Sequence, residues 1–225
     1  MRILITAAEE EELITARQAY NSLSKSEQYR LDVTWMLTGI GTTSTSYRLT
    51  KMLNTAPQPF GVAVNIGIAG SFSGDFPIGS VARINKEYFG DLGFETFTGF
   101  QTLFDYKILD ADTHPFRKGA LNAPELSSAV EQAMSKYPAA CGVTVQTVSG
   151  LPEKTEQLRK GFHPQIESME GAAFFYVCIL EELPFIEIRS VSNEVGERDR
   201  SKWDIPLALD SLREANRTLF KALAR

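Results

Sequence analysis

Two carboxylates and one amide lie where they could act on a polar small molecule. Glu12 ends a run of four glutamates after the first apolar segment, Glu170 precedes an almost wholly apolar stretch, and Asn193 follows the predicted strand Phe185 to Val191. A carboxylate can take a proton from water or accept hydrogen bonds from two hydroxyl groups, whereas an amide both donates and accepts. These residue types indicate an enzyme that binds a polar small molecule.

The glutamate run has two interpretations. Acidic residues interact favourably with the first turn of a helix, and most such runs are solvated. Side chains of one turn point in different directions, so one carboxylate could instead face a crevice and activate water while the others stay in solvent.

Glu170 and Asn193 also have a structural and a functional interpretation. A helix that is apolar on every face is buried, so an acidic group at its start needs hydrogen-bond donors, and the two hydroxyls of a ribose would suit it. Glu170 could alternatively cap the helix, a role open also to Glu167 and Ser168. Asn193 could form a turn, or could bind a heterocycle that has a carbonyl beside a ring nitrogen.

Alternating strands and helices must position these residues. The predicted strands are Ile3 to Thr6, Val33 to Leu37, Val62 to Ile66, Ser80 to Glu87, Val143 to Val148 and Phe185 to Val191. The predicted helices are Glu9 to Ser22, Thr43 to Asn54, Ala123 to Ser135, Glu153 to Lys160, Glu170 to Glu182 and Leu207 to Leu223. This order predicts an α/β fold, a three-layer α/β/α sandwich around a twisted, mixed and largely parallel sheet.

Loops that leave the strands are where such a sheet binds its ligand. Three of them contain glycine, which lets backbone N–H groups approach a ligand: Gly39 to Gly41, Gly67 to Ser71 and Ser149 to Pro152. The aromatic segment Gly93 to Tyr106 interrupts the alternation. It could form a lid or a subunit contact, or it could fold onto the core of its own domain.

The amino-acid composition limits the kinds of partner that the protein is expected to bind. The 225 residues contain 23 Lys and Arg against 28 Asp and Glu, a formal charge of −5 that argues against nucleic acid. With no linker, signal peptide or apolar span, we expect a single domain over residues 1–225, a cytoplasmic location and no membrane partner. Cys141 and Cys178 lack metal-ligand or CxxC spacing, and we expect two buried free thiols.

A set of short motifs resembles the purine nucleoside phosphorylase and nucleosidase superfamily. Within it the chain is most similar to the nucleosidase branch, and there to the futalosine hydrolases. The motifs are Ala8 to Glu12, Gly39-Ile40-Gly41, Gly67-Ile68-Ala69-Gly70, Ser149-Gly150, Ser168-Met169-Glu170-Gly171 and Ser192-Asn193. The resemblance extends from the first strand to the last helix.

The resemblance implies a role for each candidate residue. Glu12 would activate the attacking water, Met169 and Glu170 would hold the ribose, and Asn193 would meet the base. Contacts to the substrate are also implied for Gly70, Leu151 and Phe162. The implied reaction is hydrolysis of an N-glycosidic bond in a small-molecule nucleoside, without a cofactor or metal, in a homodimer.

Two departures from the superfamily narrow the reaction. Where phosphorylases carry an Arg and a Ser that reach phosphate, this chain has Asn65 and Ile68, which favours water as the nucleophile. Where adenine-cleaving nucleosidases carry an Asp that protonates the base, it has Asn193, which suits a 6-oxopurine. Futalosine, a hypoxanthine nucleoside of menaquinone biosynthesis, is therefore the expected substrate; a methylthioadenosine/S-adenosylhomocysteine nucleosidase or a purine nucleoside phosphorylase is the alternative.

Overall fold

The computed structural model describes residues 1–72, 74–97 and 99–225. Its strands are β1 (Arg2–Ala7), β2 (Asp32–Leu37), β3 (Val62–Ser71), β4 (Val81–Phe89), β5 (Gly93–Thr96), β6 (Gly99–Thr102), β7 (Leu121–Asn122), β8 (Ala139–Thr144), β9 (Ile166–Ser168) and β10 (Phe185–Glu194). Its α-helices are α1 (Glu10–Asn21), α2 (Lys25–Tyr29), α3 (Thr42–Thr55), α4 (Ser128–Met134), α5 (Pro152–Phe162), α6 (Gly171–Leu180) and α7 (Ile205–Leu223).

The central sheet is mixed, as predicted, and it closes on itself. Strands β3, β10, β4, β8 and β9 pair in a ring, and β1 and β2 extend from β3. Pairing is parallel between β3 and β10 and between β4 and β8, but antiparallel between β10 and β4 and between β3 and β9. The sequence pattern did not indicate the closure, because pairing between distant strands has no local signature.

Helices cover both faces of the sheet, which confirms the three-layer architecture. On one face α1, α4 and α7 contribute Leu13, Met134 and Phe220 to a core cluster. On the other, α3 and α6 contribute Leu49 and Phe175. Fully burying side chains of this size stabilises the fold by roughly 1.5–3 kcal/mol each.

Strands β3 and β10 are longer than the sequence predicted. The segment Gly67 to Gly70, predicted as a loop, lies within β3, and Asn193 lies within β10. The cause is pairing between the two strands, which continues through Asn193 and Gly70 after a bulge beyond Val191. Gly70 and Asn193 are therefore held in place by strand pairing.

Three further elements differ from the prediction. Strand β8 starts at Ala139 because it pairs with β4 from there, and it ends at Thr144, four residues before the predicted end. Helix α4 begins at Ser128, after Pro124, which disfavours helical backbone in the preceding residue. The sequence pattern missed β9, whose three residues are too few to show periodicity.

The aromatic segment Gly93 to Tyr106 forms a small hairpin of β5 and β6, with Thr98 outside the described residues. Phe104 packs against the core residue Phe116, with ring centroids 5.2 Å apart. Phe97 is fully exposed, and Phe94 and Tyr106 pack on each other while remaining exposed. One part of the segment thus folds onto its own core, and the role of the exposed aromatic side chains as a lid or subunit contact stays a prediction.

The two cysteines are free. Cys178 is buried in α6, as predicted, but the prediction of burial was wrong for Cys141, which is only half-buried. It pairs across the sheet with Lys86, and paired side chains share a face that here keeps some contact with solvent. In the part of the chain that the structure describes, none of the helices combines the length and apolar character needed to cross a bilayer.

Candidate active site

A cavity of about 450 Å³ opens at the carboxyl ends of β1, β3 and β10, where the predicted site residues were expected to meet. Five of the seven predicted residues line it: Glu12, Gly70, Met169, Glu170 and Asn193. The guanidinium of Arg198 and the ring of Trp203, stacked 5.1 Å apart, line it as well.

Two predicted site residues do not line this cavity. Leu151 precedes α5 with 67 % of its surface exposed. Phe162, at the end of α5, packs against Tyr88 with ring centroids 5.2 Å apart. Contact of either side chain with a substrate stays a prediction.

Glu12 is the buried member of the glutamate run. It is 7 % exposed, whereas Glu9, Glu10 and Glu11 are exposed to solvent. The backbone N–H of Ile68 donates to its Oε1 at 2.9 Å, and the N–H groups of Ala8 and Glu9 donate to its Oε2 at 3.1 and 3.2 Å. Glu12 thus accepts hydrogen bonds from the backbone at the start of α1 and also faces the cavity. The other three glutamates are solvated, so each interpretation holds for part of the run.

Burial gives Glu12 a proton affinity suited to acid–base chemistry. Loss of solvent raises its pKa to about 7, and the nearby positive charge of Arg189 opposes that rise without cancelling it. A carboxyl group with a pKa near neutrality can accept a proton from water and release it again.

Glu170 precedes α6 but does not cap it through its side chain. The capping bond comes from Ser168, whose Oγ accepts from the Gly171 N–H at 3.2 Å. The Glu170 carboxylate instead accepts from the Gly41 N–H at 3.0 Å and lies 3.4 Å from Nη1 of Arg189. It is therefore fixed from two sides at the cavity wall.

Arg189 holds the carboxylates together, and the sequence analysis missed it. Its guanidinium is 1 % exposed, donates from Nε to Glu187 at 2.7 Å and contacts Glu170. Gly67 makes room for it, because a Cβ atom there would lie 2.3 Å from Nη1 of Arg189 and 3.0 Å from Oε1 of Glu12. The signal was present, since charged residues two positions apart share one face of a strand.

Two further carboxyl groups lie behind the cavity, on β4 and β10. Glu87 and Glu187 are both buried, and Thr144 donates from Oγ1 to Glu87 at 2.9 Å. Burial, together with the repulsion between the two groups, raises the pKa of Glu87 well above its usual range. Burial also raises the pKa of Glu187, while Arg189 opposes the rise.

Asn193 faces the cavity from β10 and is 9 % exposed. Its Oδ1 accepts from the Ser192 hydroxyl at 2.8 Å, and its Nδ2 donates to the Glu194 carbonyl at 2.9 Å. These bonds fix the plane of the amide. The carboxyl group of Glu167 faces the same cavity from β9. The wall thus presents an amide from β10 and a carboxyl group from β9, on the two sides of β3.

Comparison with known proteins finds relatives of this chain. The family model described as the phosphorylase superfamily matches residues 12–225. A futalosine hydrolase of Streptomyces coelicolor is 33% identical over 160 residues, which cover 70% of this chain and 64% of that protein, and one of Thermus thermophilus is 29% identical over 82% of this chain and 80% of that protein. The chain therefore spans a little under two thirds of the length of the Streptomyces relative.

A solved structure shows the same fold. The 5'-methylthioadenosine/S-adenosylhomocysteine nucleosidase of Streptococcus pneumoniae, solved with a transition-state inhibitor, superposes with a TM-score of 0.79 at 17% identity. The superposition covers 99% of this chain and 100% of that one.

Proposed function

Because the chain belongs to the phosphorylase superfamily and its relatives are nucleosidases, we propose that it hydrolyses the N-glycosidic bond of futalosine and releases hypoxanthine. The observation that carries this proposal is the inward carboxylate of Glu12, with a pKa of about 7, in one cavity with Glu170 and Asn193. These groups suit a water, a ribose and a base, respectively.

Each group has one part in the proposed mechanism. Glu12 takes a proton from the water that attacks the anomeric carbon, and Glu170 accepts hydrogen bonds from the ribose hydroxyls. Positive charge develops on the sugar as the bond to the base breaks, and nearby carboxylates stabilise it. Hypoxanthine departs with the electron pair of the broken bond, as an anion hydrogen-bonded to Asn193, and then takes up a proton from solvent.

The polarity of the site supports water rather than phosphate as the nucleophile. Ile68 places an apolar side chain at the cavity, and Asn65 is 1 % exposed, with its Oδ1 accepting from the Thr6 hydroxyl at 3.1 Å. Arg189 already contacts two carboxylates. A phosphate dianion would meet the negative charge of Glu12 and Glu170, and the two cations that line the cavity, Arg198 and Arg200, lie against the ring of Trp203.

The substrate proposal is tested by the reaction itself. Incubation with futalosine, inosine and 5'-methylthioadenosine, each with and without phosphate, should show fastest release of base from futalosine and no dependence on phosphate. Phosphate-dependent cleavage of inosine would contradict hydrolysis. Faster cleavage of 5'-methylthioadenosine would instead identify an adenine thionucleoside as the substrate.

Exchanging the amide at position 193 should change the preference for the base. We expect Asn193→Asp to raise kcat/KM for 5'-methylthioadenosine at least tenfold relative to futalosine, because a carboxylic acid can protonate a leaving adenine. One oxygen of the new side chain would face the Glu194 carbonyl, the partner of Nδ2 now, and that contact favours the protonated acid.

Initial rates with the two substrates measure this change. Asn54→Asp, the same chemical change at an exposed residue of α3 that does not line the cavity, is the matched control. An unchanged ratio in Asn193→Asp would show that residue 193 does not act on the base.

A further inference from the structure

Three neighbouring strands present Glu167, Gly70 and Asn193 side by side. Gly70 of β3 pairs with Glu167 of β9 on one side and with Asn193 of β10 on the other. Residues paired across a sheet direct their side chains to the same face. Two polar side chains therefore flank a glycine at the cavity wall.

Gly70 places no side chain between the two polar groups, and the side chain of Val195 packs closely over it. A Cβ atom there would lie 3.4 Å from Nδ2 of Asn193 and 2.9 Å from Cγ2 of Val195. Since adjacent strands are about 4.8 Å apart, the backbones of β9 and β10 are separated by roughly 10 Å across β3. Both side chains line the same cavity, so each can reach one ligand from its own side of β3.

Glu167 is built as a hydrogen-bond acceptor. It is 6 % exposed, its Oε1 accepts from the Ser149 N–H at 3.1 Å, and its Oε2 accepts from the Ser149 hydroxyl. Both donors favour the ionised form and leave each oxygen another lone pair. Burial raises the pKa of Glu167, and the positive charges of Arg198 and Lys154 oppose that rise.

We propose that Glu167 determines base specificity by accepting the N1–H of a 6-oxopurine while Asn193 binds the opposite edge of the ring. This inference rests on the proposed nucleoside hydrolysis and names a residue that the proposed mechanism does not use. The amide of Asn193 carries an acceptor oxygen as well as a donor NH₂ group, so it can bond to either purine and discriminates weakly by itself. An ionised carboxylate only accepts, so it attracts the N1–H of hypoxanthine and repels the N1 lone pair of adenine.

The direct test compares two nucleosides that differ only in the base. The ratio of kcat/KM for 5'-methylthioinosine to that for 5'-methylthioadenosine should fall at least tenfold in Glu167→Gln, because an amide can also donate to N1 of adenine. Glu153→Gln, the same chemical change at an exposed position of α5, should leave the ratio unchanged. A ratio in Glu167→Gln within threefold of the unmodified protein would overturn the assignment.

A second measurement needs no substitution and holds even if Glu167→Gln fails to fold. Hypoxanthine should inhibit the unmodified protein at least tenfold more strongly than 1-methylhypoxanthine, which has no N1–H to donate. Equal inhibition by the two bases would overturn the role of Glu167.

The outcomes separate this inference from the proposed function. If the unmodified protein cleaves no purine nucleoside, nucleoside hydrolysis itself fails. If it cleaves 6-oxopurine nucleosides but Glu167→Gln keeps the same ratio, only the role of Glu167 fails.

Discussion

Glu12→Gln should lower kcat for futalosine hydrolysis by about 10²–10⁴-fold, the usual contribution of a general base. The amide has nearly the same shape as the carboxylate but cannot take a proton from water. Its NH₂ group will also face one of the backbone N–H donors that now bond to Glu12, so a modest loss of stability accompanies the loss of activity. Hypoxanthine release at saturating futalosine measures kcat, and circular dichroism verifies the fold.

The neighbouring Glu10 provides the control for this prediction. It lies in the same helical turn but is exposed and paired with Arg17 at 2.8 Å. Glu10→Gln should therefore keep full activity. If Glu12→Gln turned over futalosine as fast as the unmodified protein, Glu12 would not be the base.

The pH profile tests the same carboxylate independently. A general base must be deprotonated, and burial raises the pKa of Glu12 to about 7. Thus kcat/KM should be constant above that pH and should fall about tenfold per pH unit well below it. That acidic limb should be absent from the residual activity of Glu12→Gln, and an acidic limb centred near pH 4.5 would contradict the raised pKa.

Arg189→Met should lower the free energy of unfolding by about 3–5 kcal/mol, the typical cost of removing one partner from a buried ion pair. Methionine fills part of the volume but leaves Glu187 and Glu170 buried without their cation. The pKa of Glu12 should also rise, because Arg189 now lowers it. Urea denaturation at pH 8 measures the stability, and the acidic limb of kcat/KM should move to higher pH.

Arg83→Met provides the matched control for stability. Arg83 pairs with Glu131 at 2.8 Å, but the Glu131 side chain is 52% exposed. Pairs with such access to water contribute at most about 1 kcal/mol. Equal losses of stability in the two variants would show that the buried cluster is not held together by Arg189.

Local sequence pattern predicted much of the architecture. Alternation of short β-branched runs with helical periodicity identified the layers, because each element shows in its own sequence which face it buries. The boundaries failed where long-range pairing decides them, as in the extension of β3 to Ser71 and of β10 to Glu194. The same limitation hid β9, which is defined by its neighbours.

The sequence likewise predicted some residues of the site and missed another. Glu12, Glu170 and Asn193 were predicted by their residue types at the ends of strands and starts of helices, and all three line the cavity. Arg189 was overlooked although its spacing from Glu187 places both on one face of the strand, because that spacing does not show that Glu170 lies beside them.

The sequence by itself determined which chemical groups are available and which segment carries each of them. Only the tertiary structure decided that one glutamate of four is buried at the cavity, and that Glu167 and Asn193 lie on either side of Gly70. The physical reason is that charge, burial and register are properties of contacts between distant segments. A carboxylate acquires a raised pKa only when the closed sheet removes it from water. It can share a ligand with a second side chain only when the sheet brings that side chain to the same cavity.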